Sequence, residues 1–339
     1  MSTGTAVAER GLIRLQRLGR THPVLRLVAV RILLGVLTLW LVSIVIFAAT
    51  QALPGNAANA VLGQSATPEL LRAVERQLHL DEPLSQQYLS WIGGVLHGDF
   101  GTSLANGEPV SEFIGPRILN SAVLVLVAGV IGTLISGALG VLAAARRDGW
   151  FDHLSSVVAL AITAVPEFVV AIALVILFAV VVLHWLPAVS AVPPGSQPWD
   201  DLNALILPVA TLAIVIAPYF FRMVRGALIE VLEADYVETA ELQGLSRRRV
   251  LLFHALPNAV PPMIQVIGLN LLYLAGGIVV VEYVFNYPGL GAALVEAVTN
   301  RDVPVIQFIV LVLTAFYVVV NITTDVIALL FSPRRRGTR

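Results

Sequence analysis

No cysteine and no lysine occurs among these 339 residues. The first absence excludes disulfides, thiolate nucleophiles and Cys-ligated metals. The second removes the lysine that a Walker-type loop sets against nucleotide phosphates, and any Schiff-base lysine with it. All 21 basic residues are therefore Arg. Charge of either sign is scarce: 13% of residues are charged and 57% are hydrophobic, whereas a soluble domain carries about 25% charge. Such a chain cannot cover a soluble surface and reads as an all-α protein that crosses a membrane several times. Hydrolase signatures are missing too. The six histidines at 22, 79, 97, 153, 184 and 254 are never four apart, so there is no HExxH pair, and no Gly-x-Ser-x-Gly elbow occurs.

What is present is a series of long apolar runs. Ile118–Ala145 has 28 residues without a charge, Ala255–Val281 has 27, Val303–Thr324 has 22 and Leu202–Phe221 has 20; Leu154–Leu186 contains a single charge, Glu167, and Ile32–Leu53 precedes Pro54-Gly55. About 20 helical residues cross a bilayer core. Six spans are expected, over 31–53, 117–145, 154–186, 202–226, 258–281 and 303–331. Seventeen of the 21 arginines fall on one side of that arrangement. The excess of Arg places that side in the cytoplasm, with the N-terminal segment 1–30, the loop 227–257 and the tail 332–339 inside. Segments 54–116, 187–201 and 282–302 are then outside. Ala58-Asn59-Ala60 looks like a signal-cleavage site, but the long segment before the apolar run argues for an uncleaved first span. The basic N-terminal residues suit anionic lipid.

In the first outer segment, Thr67-Pro68-Glu69 has the capping hydroxyl, the Pro and the acid of a helix start. Leu70, Leu71, Val74 and Leu78 follow at helical spacing. A second helix is expected from Leu84, carrying Tyr88 and Trp91, and a turn at Gly98-Asp99-Phe100-Gly101. The segment reads equally as a packed cap on the spans or as a docking surface for a delivery protein. Within the spans, Glu167 is the costly group, and an intramembrane carboxylate is functional by default. Glu167, Gln265, Asn270 and Tyr273 are candidates for lining a pathway, although such polar groups also join helices to one another. Glu282 is expected to lie less buried than Glu167, and Asp325 to pair with an Arg at the inner edge. Pro166, Pro208 and Pro218 are candidate kinks. Gly129, Gly132, Gly137 and Gly140 are read as close packing of the second span.

The loop between the fourth and fifth spans carries more information. Leu228, Val231, Leu232 and Val237 recur at helical spacing, Gly244 ends that helix, Ser246 caps the next, and Pro257 opens the fifth span. Ala240 and Gly244 are small enough for a partner to approach closely. The ordered string Asp235-Tyr236-Val237-Glu238-Thr239-Ala240, Gly244-Leu245 and His254-Ala255-Leu256-Pro257-Asn258 resembles the EAA loop of ABC-importer permeases, in particular the dipeptide/oligopeptide/nickel family. Leu53-Pro54-Gly55, Leu80-Asp81-Glu82-Pro83-Leu84 with Gln87-Tyr88 and Trp91, Gly98–Leu104, Val281-Glu282 with Pro288-Gly289-Leu290-Gly291, and Asn300-Arg301-Asp302 with Pro304 resemble further motifs of that family in the same order. The resemblance covers roughly residues 27–336. Three positions depart from it: Thr239 replaces an Ala, Asn56 an Asp, and Glu167 stands where small polar residues are usual.

The resemblance implies the six-helix type I permease architecture in a bacterial inner membrane. It implies Asp235, Tyr236, Glu238, Thr239, Ala240, Gly244 and Leu245 as the ATPase-coupling residues. Its implied partners are a second, homologous permease, two ABC ATPase subunits or one dual subunit, and an extracytoplasmic solute-binding protein, together with membrane lipid. No nucleic acid is expected. The chain would itself be no enzyme and hold no cofactor, ATP and Mg belonging to the ATPase partners, and peptides would be the cargo. The competing reading is a self-sufficient carrier or channel centred on Glu167. It leaves the helix-turn-helix loop unexplained, and the chain shows no clear internal repeat of the kind many carriers have.

Overall fold

The computed structural model describes residues 23–52, 82–193 and 195–331. The helix start at Thr67, the Ala58-Asn59-Ala60 string and the N-terminal and C-terminal tails lie outside the described residues. Eleven helices make up the described chain: α1 Pro23–Gln51, α2 Leu84–His97, α3 Val110–Ala145, α4 Trp150–Thr163, α5 Glu167–Val175, α6 Leu202–Leu232, α7 Asp235–Leu242, α8 Arg247–Val250, α9 Leu256–Val284, α10 Leu290–Asn300 and α11 Val303–Phe331. A single isolated bridge, Thr102 to Pro109, is the only extended pairing among them.

Five helices are long and apolar enough to cross a membrane, and α4 with α5 forms a sixth, broken unit. The third span, expected over 154–186 with Pro166 as a candidate kink, is sharply bent there. Two helical stretches, Trp150–Thr163 and Glu167–Val180, meet at 102°. Pro166 explains the position of the break: it has no N–H to donate and disfavours helical geometry at Val165. Residues 181–186 are not helical.

Several boundaries also move. The α1 helix begins at Pro23 rather than 31, α3 at Val110 rather than 117, and α6 runs to Leu232 rather than 226. A charge such as Arg117 ends an apolar run but not a helix, so helices outlast the hydrophobic stretch. The fifth span is one continuous helical stretch of 38 residues from Arg247 to Val284, through a wider turn at Leu251–Ala255, and not 258–281. The segment 282–302, expected as a loop, holds the last turn of α9 and all of α10.

The bundle is organised around α6, the most buried of the long helices, which packs on α3, α9 and α4. The α1 helix is the least buried and leans mainly on α11. The main core joins Leu124 and Ala128 of α3, Leu207, Leu212 and Ile216 of α6, and Leu274, Ile278 and Val281 of α9. Close approach of α3 and α6 depends on the expected glycines. A Cβ at Gly132 would lie 2.8 Å from Ile216 Cδ1, and one at Gly140 would lie 2.9 Å from the Phe221 carbonyl. Pro208 and Pro218 are accommodated inside α6.

Candidate functional site

The helix-turn-helix loop sits at the arginine-rich end. No Gly or Pro marks the end of α6, so periodicity alone ran one helix across it. In the structure Leu228, Val231 and Leu232 belong to α6, and a turn at Glu233-Ala234 separates them from Val237 on α7. Ser246 holds the capping position of α8 but makes no side-chain cap; its carbonyl instead accepts from Arg249 N at 2.8 Å and Val250 N at 3.0 Å. The turn itself is a left-handed Gly244, φ +84°, with open space where a Cβ would project. Leu245 N donates back to the Ala240 carbonyl at 3.3 Å, closing the end of α7.

The coupling candidates divide into two groups. Asp235, Tyr236, Glu238, Thr239 and Gly244 are exposed. Ala240 is buried against Val237 and Val250, with Leu245 packed on the same cluster. The expectation that Ala240 lets a partner approach is corrected accordingly: its small side chain lets α7 lie on α8, and the open small position is Gly244. Leu242 stands 82% exposed at the tip, an apolar side chain with none of the described residues over it. Asn258 Nδ2 donates to the Tyr236 hydroxyl at 3.1 Å and to the His254 carbonyl at 2.7 Å. The two halves of the loop motif, 22 residues apart, therefore touch.

Sequence reasoning missed the clamp behind this loop. Asp152 of α4 is buried and takes a two-pronged contact from Arg225 of α6, with Nη2 to Oδ2 at 2.7 Å; the Asp148 amide adds a third donor at 3.1 Å. The partners are 73 residues apart, so no local pattern announced them. Nearby, Arg147 is paired with Glu233, which strengthens the guanidinium's hold on its proton. The expected partner of Asp325 is Arg31, at 2.7 Å, which brings the two ends of the described chain to one face.

The four pathway candidates do not converge. Asn270 is buried, and its Nδ2 has no hydrogen-bond partner. Gln265 and Tyr273 are exposed, in line with Leu269 and Gly276 on a neighbouring face of α9. Glu167, half-buried, meets α9 from α5 at Gly277, where a Cβ would lie 2.6 Å from its Oε2.

At the arginine-poor end, two carboxylates act as knots. Glu282 was expected to be the less buried of the two spanning acids; it is wholly buried. Its oxygens accept from Ser121 Oγ at 2.5 Å, Gly291 N at 2.7 Å and Ala292 N at 3.0 Å, so it caps the start of α10, where amides and dipole favour an anion. Gly289 makes room for it, since a Cβ there would lie 2.0 Å from Oε1. Asn120 Nδ2 donates to the Pro288 carbonyl at 2.8 Å, and the Tyr287 hydroxyl donates to the Asn120 carbonyl at 3.0 Å. Burial, then the neighbouring Glu282, pushes that hydroxyl well above its usual range. Asp302 accepts from Ser103 Oγ, from Leu104 N at 3.1 Å and from Ala105 N at 3.3 Å. Tyr88, from the expected second outer helix, bonds Ser43 of α1 at 2.8 Å and packs with Trp91 on Phe47.

Comparison with known proteins covers nearly the whole chain. A family model described as "Binding-protein-dependent transport system inner membrane component" matches residues 136–337. A companion model for the N-terminal part of such components matches residues 24–125. The chain is 37% identical over 305 residues to the glutathione transport system permease protein GsiC of Salmonella typhimurium, covering 90% of this chain and 97% of that protein. It is 35% identical over 298 residues to the "Probable peptide ABC transporter permease protein y4tP" of Sinorhizobium fredii, covering 87% and 94% respectively. Among solved structures, an inward-facing MetNI methionine ABC transporter aligns with a TM-score of 0.54 at 18% identity, over 66% of this chain and 99% of that one. That last likeness shows the fold.

Proposed function

The chain belongs to the family of binding-protein-dependent transport system inner membrane components, and on that footing we propose how its parts divide the work of an ATP-driven importer. It is a multi-pass permease subunit of an ABC importer, a non-catalytic member of an assembly that includes ABC ATPases and a solute-binding protein. In our reading the arginine-rich end, with both termini, faces the cytoplasm. There the α7–Gly244–α8 hairpin enters the ATPase: Asp235, Tyr236, Glu238, Thr239 and Gly244 form the contacting surface, while Ala240 and Leu245 hold the hairpin together. ATP and Mg are bound by those partner subunits.

A second, homologous permease completes the pathway, lined from this chain by the exposed face of α9 with Gln265 and Tyr273 and by Glu167 from α5. Asn270 would join the pathway only after a change in helix packing. Movement of the ATPase pair shifts the hairpins, and the bundle passes between two states open to opposite sides, as any bistable element does when a partner favours one of its forms. Peptides are the proposed cargo, because the similar proteins are named for peptide and glutathione transport.

One observation carries this reading. The hairpin presents polar residues and an exposed Leu242 outward, yet runs straight into the 38-residue fifth helix. A push on it is thereby a push on a span. The test is gentle solubilisation of the tagged chain and mass spectrometry of what accompanies it. A second permease and P-loop ATPases are expected, and the neighbouring binding protein should bind a labelled dipeptide. A monodisperse chain that transports alone would overturn the proposal.

A further inference from the structure

The other acids named within the long helices and the bent third unit have partners. Asp152 holds Arg225 and the Asp148 amide, Asp325 holds Arg31, and Glu282 holds three donors. Glu167 is different. It opens α5 immediately after the 102° break, at the depth of the third apolar run, and among the described residues its carboxylate takes no hydrogen bond and no ion pair. The packing nevertheless makes space for it. Gly277 of α9 faces it, and a Cβ there would lie 2.6 Å from Oε2. One turn earlier on α9, Tyr273 is 57% exposed. Gly276, beside them, opens onto free space.

We propose that Glu167 makes the pathway selective for cationic groups, taking the ammonium or guanidinium of a solute as it passes the α5–α9 contact. The inference rests on the reading that the exposed face of α9 lines the pathway. An unpaired carboxylate at membrane depth is costly and persists where water or a counter-charge reaches it. A passing cation supplies that counter-charge and a charge-assisted hydrogen bond, whereas an anionic group is repelled. Because the carboxylate has no partner among the described residues, nothing there has to be broken before it meets the solute.

The absence of cysteine makes the test direct. In the complete importer, purified with its partners, Tyr273→Cys is reacted with a cationic thiol reagent, 2-aminoethyl methanethiosulfonate. A parallel sample receives the anionic 2-sulfonatoethyl reagent, and labelling of this chain is followed by mass spectrometry. Gly276→Cys serves as a second reporter. The ratio of cationic to anionic reaction rates should fall at least about threefold when Glu167→Gln is added, the change expected of one charge a few ångströms away in a wet site. Glu167→Asp should keep most of the ratio. An unchanged ratio at both reporters overturns the proposal. So does the absence of labelling at both, with or without ATP, because the face would then lie outside the pathway. Peptide uptake is measured separately. An importer that takes up no peptide yet keeps the charge-dependent ratio would refute the cargo and leave Glu167 in its role.

Discussion

The fifth span ends in two different ways. At the arginine-poor end, Glu282 is wholly buried, accepts from Ser121 and two α10 amides, and is joined by the Asn120–Tyr287–Pro288 bonds. At the arginine-rich end the same span begins in three exposed arginines, a left-handed glycine and a short helix whose outer residues face solvent. Its contacts with that helix are a small apolar cluster of Val237, Ala240 and Val250 and one side-chain bond, from Asn258 to the exposed Tyr236. Buried polar groups that are all satisfied fix one geometry, because each bond lost leaves a desolvated partner. Exposed ones can exchange partners with water, and so with another protein. One end is fixed by buried bonds, and the other leaves its polar groups open to exchange.

That contrast can be broken, starting with the largest effect. Glu282→Ala strips the acceptor from three donors, two of them buried, and should destabilise the permease by about 3–5 kcal/mol, read as a lower thermal midpoint or loss of the purified complex. A stable variant would show that the outer knot is dispensable. Asp302→Ala frees Ser103 and the two amides beyond it and should cost about 2–3 kcal/mol, with the same readout. Gly244→Val meets no neighbour, so only the left-handed backbone resists it, at about 1–2 kcal/mol. Its membrane insertion should be normal, while ATPase co-purification and transport are lost; normal transport would count heavily against the hairpin as the coupling element. Glu167→Gln should shift stability by less than about 0.5 kcal/mol, since no bond among the described residues depends on it. A large loss would show that the carboxylate is structural and would erase its contrast with Glu282.

The membrane class, the long helices and the arginine-rich face were legible because they are local properties: runs of apolar residues and the charges between them. The hairpin was half legible. Gly244 announced its turn, but the break at Glu233-Ala234 carries no breaker and was read through. Pro166 announced the place of the bend in the third apolar run, not its 102° angle. The knots were illegible for a different reason. Glu282 and Ser121 are 161 positions apart, and Asp302 and Ser103 are 199 apart. The motif strings at 98–104, 281–291 and 300–304 marked those residues as noteworthy. That the first and last meet through Asp302, and that a glutamate ending an apolar run turns inward to cap a neighbouring helix, is tertiary information.

The Glu282 knot has a mechanical corollary. A helix of 29 residues is a rod about 43 Å long. If its far end is bolted through Ser121 to α3 and through two amides to α10, a sideways force at its near end cannot slide it along its axis. The rod must swing, with the bolt as fulcrum. A swing of about 10° would carry the near end sideways by roughly 7 Å, while Gly277, which faces Glu167 and lies close to the fulcrum, travels only a small part of that distance. The lever ratio is therefore set by where Glu282 sits along the chain.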